Sequence, residues 1–175
     1  SIDTQSPPIS STCLADYPTL GIDNSALYIG TNNFCPSYNS SDGYVINKAN
    51  LIAGTLTVTV FRGLVPTSGS DGPYTPQGVD NFDVSATEGY FIGVSNTLFS
   101  KLVIRRVSTP GGTPTISANI DLTVNTTTAA SDVRHQGAAS NRRLDALDDR
   151  LFAACLRNGR LWTAHNFDVN SSGVA

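Results

Sequence analysis

Leu27-Tyr28-Ile29-Gly30 recurs as Tyr90-Phe91-Ile92-Gly93 and, more weakly, as Leu151-Phe152-Ala153-Ala154. The aromatic positions are 63 and then 61 residues apart, a period of about 62. A fixed period of several tens of residues marks a repeat architecture, in which each unit buries its apolar face against a neighbour. Strand signals surround every copy. In the first unit Tyr17 to Asp23, Ala26 to Phe34, Gly43 to Ile52 and Thr55 to Leu64 read as four strands, the last on a strict Leu56/Val58/Val60 alternation. In the second, Asp80 to Ser85, Gly89 to Asn96, Lys101 to Val107 and Thr115 to Val124 take the same places. In the third, Arg143 to Leu147, Arg150 to Arg157 and Arg160 to Phe167 take the first three places and the fourth is missing. Asn158-Gly159 joins the last two as a two-residue hairpin turn, because both residues tolerate the positive φ that such a turn needs.

Repeated antiparallel meanders of four strands predict an all-β chain built as a partial β-propeller, with about three blades and the last incomplete. The division is an N-terminal arm over 1–15, blade 1 over 16–66, blade 2 over 67–124, a connector over 125–142 and the incomplete blade 3 over 143–175. Alternation places Leu56, Val58, Val60, Ile104, Ile116, Ile120, Leu122, Phe152 and Trp162 in the core. An open set of blades exposes strand edges and apolar faces, so a partner is expected to cover them. The candidates are the remainder of the propeller, a second chain, or self-association.

Composition points the same way. The chain has 175 residues, with 19 Thr, 19 Ser and 14 Asn against one Glu and two Lys. Helix surfaces are built from the residues that are scarce here. No apolar run approaches the roughly 20 residues of a membrane helix, so no membrane span is expected. The net charge is -3, and Arg105-Arg106 and Arg142-Arg143 are the densest basic clusters. That field is too weak to follow a phosphate backbone, which excludes nucleic acid as a partner. A Thr/Asn/Ser-rich, Lys-poor surface fits a secreted or extracellular protein.

Cys13 and Cys35 lie in loop-like sequence, whereas Cys155 sits in the apolar run from Leu151 to Leu156. A Cys13 to Cys35 disulfide with Cys155 as a free, buried thiol follows, and closing a loop of that size contributes about 3 kcal/mol. The remaining possibility is three reduced thiols in a cytoplasmic protein. Cys/His spacings that suit zinc or haem are absent from the sequence.

The stretches YPTLGIDNSALYIGTNNF, ATEGYFIGV and RLDALDDRLFAACLRNGRLWTAHN resemble secreted bacterial β-propeller-like repeat proteins, which are mostly uncharacterised. The resemblance covers most of residues 16 to 167. It implies a propeller fold and an exported origin, and it transfers no catalytic residue. The Ser-x-Asp-x-Gly-x-x-Trp turn of sialidase-type propellers is missing; Ser70-Asp71-Gly72 comes nearest, with no Trp at the right distance.

In a propeller the first strand of each blade faces the axis, and ligands meet the loops at one end of it. The candidate ligand-binding residues are therefore Asp16 and Tyr17, Asp80 and Asp83, and Arg142, Arg143 and Asp145, with His135 in the connector. Asp in β turns also accepts backbone N–H bonds, which is its ordinary structural role. Asp145, Asp148 and Asp149 supply carboxylate oxygens that suit Ca²⁺, the one cofactor with a donor set here; a solvated turn is the alternative. Neither a nucleophile elbow nor a Ser/His/Asp triad is present. Two functions stay open. One is a non-catalytic extracellular module that scaffolds, adheres or binds a glycan or protein at the axial face. The other is a propeller glycoside hydrolase, sialidase-like or otherwise exo-acting, that uses axial Asp residues. Two carboxyls about 5 to 10 Å apart across a cleft favour the enzyme, and Asp side chains folded onto their own turns favour the module.

Overall fold

The computed structural model describes residues 13–137 and 142–169. It is all-β, 55% strand against 3% helix. Four strands, β1 (Leu14–Ile22), β2 (Ala26–Phe34), β3 (Tyr38–Asn47) and β4 (Val58–Val65), form an antiparallel meander in the order β1-β2-β3-β4. One helical turn, α1 (Lys48–Ile52), separates β3 from β4, and the Asn47 side chain caps it by accepting from the Asn50 N–H. The second meander is β5 (Pro73–Asn81), β6 (Glu88–Ser95) and β7 (Lys101–Ser108), with β8 (Thr115–Ile116) and β9 (Ile120–Thr123) both on the far edge of β7. A short ribbon, β10 (Val133–Arg134) with β11 (Arg143–Leu144), precedes the hairpin of β12 (Leu151–Arg157) and β13 (Arg160–His165).

Several strands differ from the expected ones. The second unit opens at Pro73–Asn81, not at Asp80 to Ser85, because Thr75-Pro76 falls where the register shifts between Tyr74 and Gln77 and its missing N–H interrupts no ladder. Asn81 Oδ1 and Asp83 Oδ1 then accept from the N–H groups two residues on, which turns the chain where a strand was expected. The third strand of the first unit ends at Asn47, since the capped turn takes residues 48–52. In the third unit, Arg143 and Leu144 pair with Arg134 and Val133 and do not join β12. Instead β12 lies parallel to β5, Ala154 opposite Val79 and Cys155 opposite Asp80, so the hairpin extends the second meander into one seven-stranded sheet.

The repeat is visible at residue level. Tyr28, Phe91 and Phe152 stand in β2, β6 and β12, and Tyr28 pairs with Gly21 as Phe91 pairs with Gly78. The two meanders meet at these positions. A Cβ on Gly21 would stand 2.2 Å from the Gly78 carbonyl carbon, so only glycine lets β1 and β5 cross in backbone contact. Beside the crossing, the Tyr28 and Phe91 rings meet edge to face at 5.8 Å and 85°. Ala26, Tyr28, Val45 and Leu64 from one sheet and Phe91 and Val107 from the other close this core. Equivalent faces of the two units are thus in contact, whereas neighbours in a ring meet through unlike faces.

A second core of Val79, Ile92, Val94, Leu102, Leu151 and Ala154 lies on the other face of the larger sheet, which curls into a half-barrel around it. The expected core needs correction accordingly. Leu56, Ile120, Leu122, Phe152 and Trp162 are exposed, and Val58, Val60, Ile104 and Ile116 are half-buried. Phe61, not Val60, points into the inter-sheet core, and β9 is an edge with every residue exposed. Alternation identified strands here, but it could not tell which face receives a second layer.

The Cys13–Cys35 disulfide is present, closing the β1–β2 ladder one step beyond the Leu14–Phe34 pair. Cys155 is free but only half-buried, because its side of the hairpin lies beyond the cover of the smaller sheet. No helix among the described residues is long and apolar enough to cross a membrane.

Candidate functional site

β1, β5 and the start of β12 converge at one end of the inter-sheet core. Tyr17 and Tyr74 hold equivalent positions, each beside a register shift, between Asp16 and Thr19 in β1 and between Tyr74 and Gln77 in β5. The backbone at Tyr17 (φ 50°) and at Thr75 (φ 48°) enters the left-handed region, a strain that the surrounding pairing has to hold. These kinks re-aim both tyrosines at Arg150. Its guanidinium carbon lies 4.7 Å from the Tyr17 ring centre and 5.4 Å from that of Tyr74. Arg150 also forks onto Asp148, Nε to Oδ1 and Nη2 to Oδ2 at 2.7 Å each, and donates to the Tyr74 hydroxyl at 3.2 Å. Tyr38 meets Tyr74 edge to face at 5.1 Å.

A buried polar floor supports this cluster. Asn32 Oδ1 accepts from Ser41 Oγ and from the Thr75 N–H, while Asn32 Nδ2 donates to Thr75 Oγ1. The two bonds to Thr75 fix one sheet against the other, the Ser41 bond holds Asn32 within its own sheet, and such a network is stabilising only when its members are satisfied. Burial pushes the Tyr38 hydroxyl up to about 12 and also raises that of Tyr74.

Next to the cluster lies a cleft of about 220 Å³ lined by Tyr74, Ser95, Asn96, Thr97, Phe99, Asp148 and Asp149, among others. Its two carboxyls are driven apart. Burial alone would raise Asp148, but hydrogen bonds from Arg150 outweigh it and hold the carboxyl below its ordinary value. Asp149 is raised by burial, which outweighs a bond from its own backbone; the charge of Asp148 adds to the rise, and a bond from Thr127 opposes it. Its carboxylate meets Thr127 Oγ1 at 3.3 Å, and its backbone carbonyl accepts from His165 Nδ1 at 2.7 Å.

Of the residues read from the sequence, Tyr17 stands over Arg150, and Asp148 and Asp149 line the cleft. Asp16 is exposed on β1, and Asp80 Oδ1 accepts from the Ile22 N–H, capping an edge of the smaller sheet. Asp83 and Asp145 accept from backbone N–H groups of their own turns, those of Ser85 and Leu147. His135, Arg142 and Arg143 are exposed in and after the connector, and none of them lines the cleft. Among the described residues no three or more His, Cys, Asp or Glu side chains gather to hold a metal ion, and Asp145, Asp148 and Asp149 each face different donors. Sequence reasoning missed Tyr74, Arg150 and the Ser95–Phe99 loop. The matching Tyr17-Pro18 and Tyr74-Thr75-Pro76 would have pointed to Tyr74, since both place a tyrosine beside a proline at the kink of the unit's first strand. Comparison of the chain with protein-family models, curated proteins and solved structures returns no match.

Proposed function

We propose that the chain is a non-catalytic binding module of an exported protein, taking a sugar residue of a glycan in the cleft between Tyr74 and Asp149. The observation that carries this reading is the cleft's mixed lining. Aromatic rings from Tyr74 and Phe99 suit the apolar face of a pyranose, and Ser95, Asn96, Thr97 and Asp148 offer donors and acceptors for its hydroxyls. Asp83, Asp145 and Asp148 bond within their own turns, which favours a module over an enzyme with carboxyls poised across a substrate. The disulfide and the Lys-poor surface support export. The repeat supports a propeller-like ancestry for the units, while contact through equivalent faces supports a self-contained pair of sheets rather than blades of a ring. A glycan array followed by calorimetry tests the proposal. Binding should weaken about tenfold or more in Phe99→Ala, whose ring is exposed, with thermal stability unchanged; no binding by the wild-type chain to any glycan contradicts it.

A second reading rests on Asp148 held low and Asp149 held high in one cleft, the pattern of a charged stabiliser beside a general acid. It predicts glycoside hydrolysis that Asp149→Asn abolishes while binding survives. Assays of reducing-end release separate the two.

A further inference from the structure

The β12–β13 hairpin presents a second surface, away from the cleft. Its register sets Arg157 opposite Arg160, Cys155 opposite Trp162 and Ala153 opposite Ala164. Side chains on a strand alternate, so these three pairs share one face and form a row that runs from basic at the turn to apolar at the far end. Phe152 is 48% and Trp162 58% exposed, and between them lies a shallow groove of about 340 Å³. β13 ends the sheet order, which leaves its outer edge without a neighbouring strand among the described residues. Two like charges directly opposite one another weaken a hairpin, and neither guanidinium has an ion-pair or hydrogen-bond partner among the described residues.

We infer that this face docks an extended polypeptide segment, whose acidic end meets Arg157 and Arg160 and whose apolar side chains settle along Trp162 and Phe152. An edge strand offers N–H and C=O groups at strand spacing, and an added strand of the partner places every second side chain over the groove. The paired guanidiniums set the partner's charge, because carboxylates there relieve the repulsion that the hairpin otherwise carries. A second copy supplies no such counter-charge: its own face carries the same two arginines, and Asp80 at the groove's edge already accepts from the Ile22 N–H.

Trp162 is the only tryptophan of the chain, so its emission reports directly on the groove. The test titrates the whole chain with a short synthetic peptide of alternating Val and Thr ending in two Glu, made in both chain directions. Its twin ends in two Lys. The expected result is a blue shift of Trp162 with the acidic peptide at about tenfold or more higher affinity than with its twin, and a reversed preference in R157E/R160E. Unchanged emission with both acidic peptides overturns the inference, as does equal affinity for the acidic and basic peptides. Shielding of Trp162 by raised protein concentration alone also overturns it, giving the face to a second copy.

Discussion

Arg150 holds three parts of the chain at once: the Tyr17 ring of β1, the Tyr74 ring and hydroxyl of β5, and Asp148 ahead of β12. Its removal loses two ring contacts and leaves Asp148 half-buried without its fork, so Arg150→Ala should destabilise by about 2 to 3 kcal/mol. Arg150→Lys keeps the charge but neither the fork nor the stacking, and should recover less than half of the loss. Urea unfolding of the pair checks this; equal stability of Ala and wild type is the contrary result. Asp149 gives the pH dependence. Its carboxyl is raised by burial, so the stability it contributes is present below the ordinary carboxyl range and is lost as pH rises from about 4 through the raised value. Asp148, held low, contributes stability that is lost as pH falls. Asp149→Asn should therefore flatten the loss on the alkaline side and leave the acid limb in place, measured as Tm against pH. None of these roles was legible in the sequence, where Asp148 and Asp149 read as Ca²⁺ donors or a solvated turn and Arg150 as the start of a strand, while the Tyr74 partner lies more than seventy residues away.

The strands whose turns carry their own signal were the readable ones. Asn158-Gly159 makes the β12–β13 turn with φ of 51° and 69°, as its composition requires. β2, β6 and β7 fall within a residue or two of expectation, because aromatic and β-branched runs bounded by polar residues leave little choice. β5 was expected at Asp80 to Ser85 and lies at Pro73–Asn81, where two prolines offer no ladder N–H and only the register shift between Tyr74 and Gln77 shows how a strand accommodates Pro76. The parallel joining of β12 to β5 has no local signal at all, as it depends on side chains distant in sequence. The glycine crossing of β1 and β5 is the element-scale feature most open to test. A Cβ at Gly21 meets backbone atoms of Gly78 and Val79, which cannot rotate away, so Gly21→Ala should cost more than about 3 kcal/mol or prevent folding. Gly69→Ala has open space around it and should be close to neutral. Comparable stability of the two variants would contradict the crossing.

At the scale of the molecule, two meanders from one repeat bury equivalent faces against each other, and the third unit closes one end of that pair through Arg150. The Cys13–Cys35 bridge ties the open end of the first meander, and Cys13→Ser with Cys35→Ser should lower stability by about 3 kcal/mol in chemical unfolding. The repeat itself was plain in the sequence, down to Tyr28 and Phe91 as equivalents, but the way units associate was not. A period gives what is repeated, and the choice between like-to-like and front-to-back contact rests on Gly21 meeting Gly78 and on Tyr28 meeting Phe91. The candidate cleft depends on that choice, because only like-to-like contact brings Tyr17 and Tyr74 onto the same arginine. Ring-to-ring nuclear Overhauser contacts in the isotope-labelled chain measure it directly. Strong cross-peaks between the Tyr28 and Phe91 rings, 5.8 Å apart between centres, are the predicted result; Tyr28 contacts to Tyr90 and Ile92 with none to Phe91 would contradict it and return the units to front-to-back stacking.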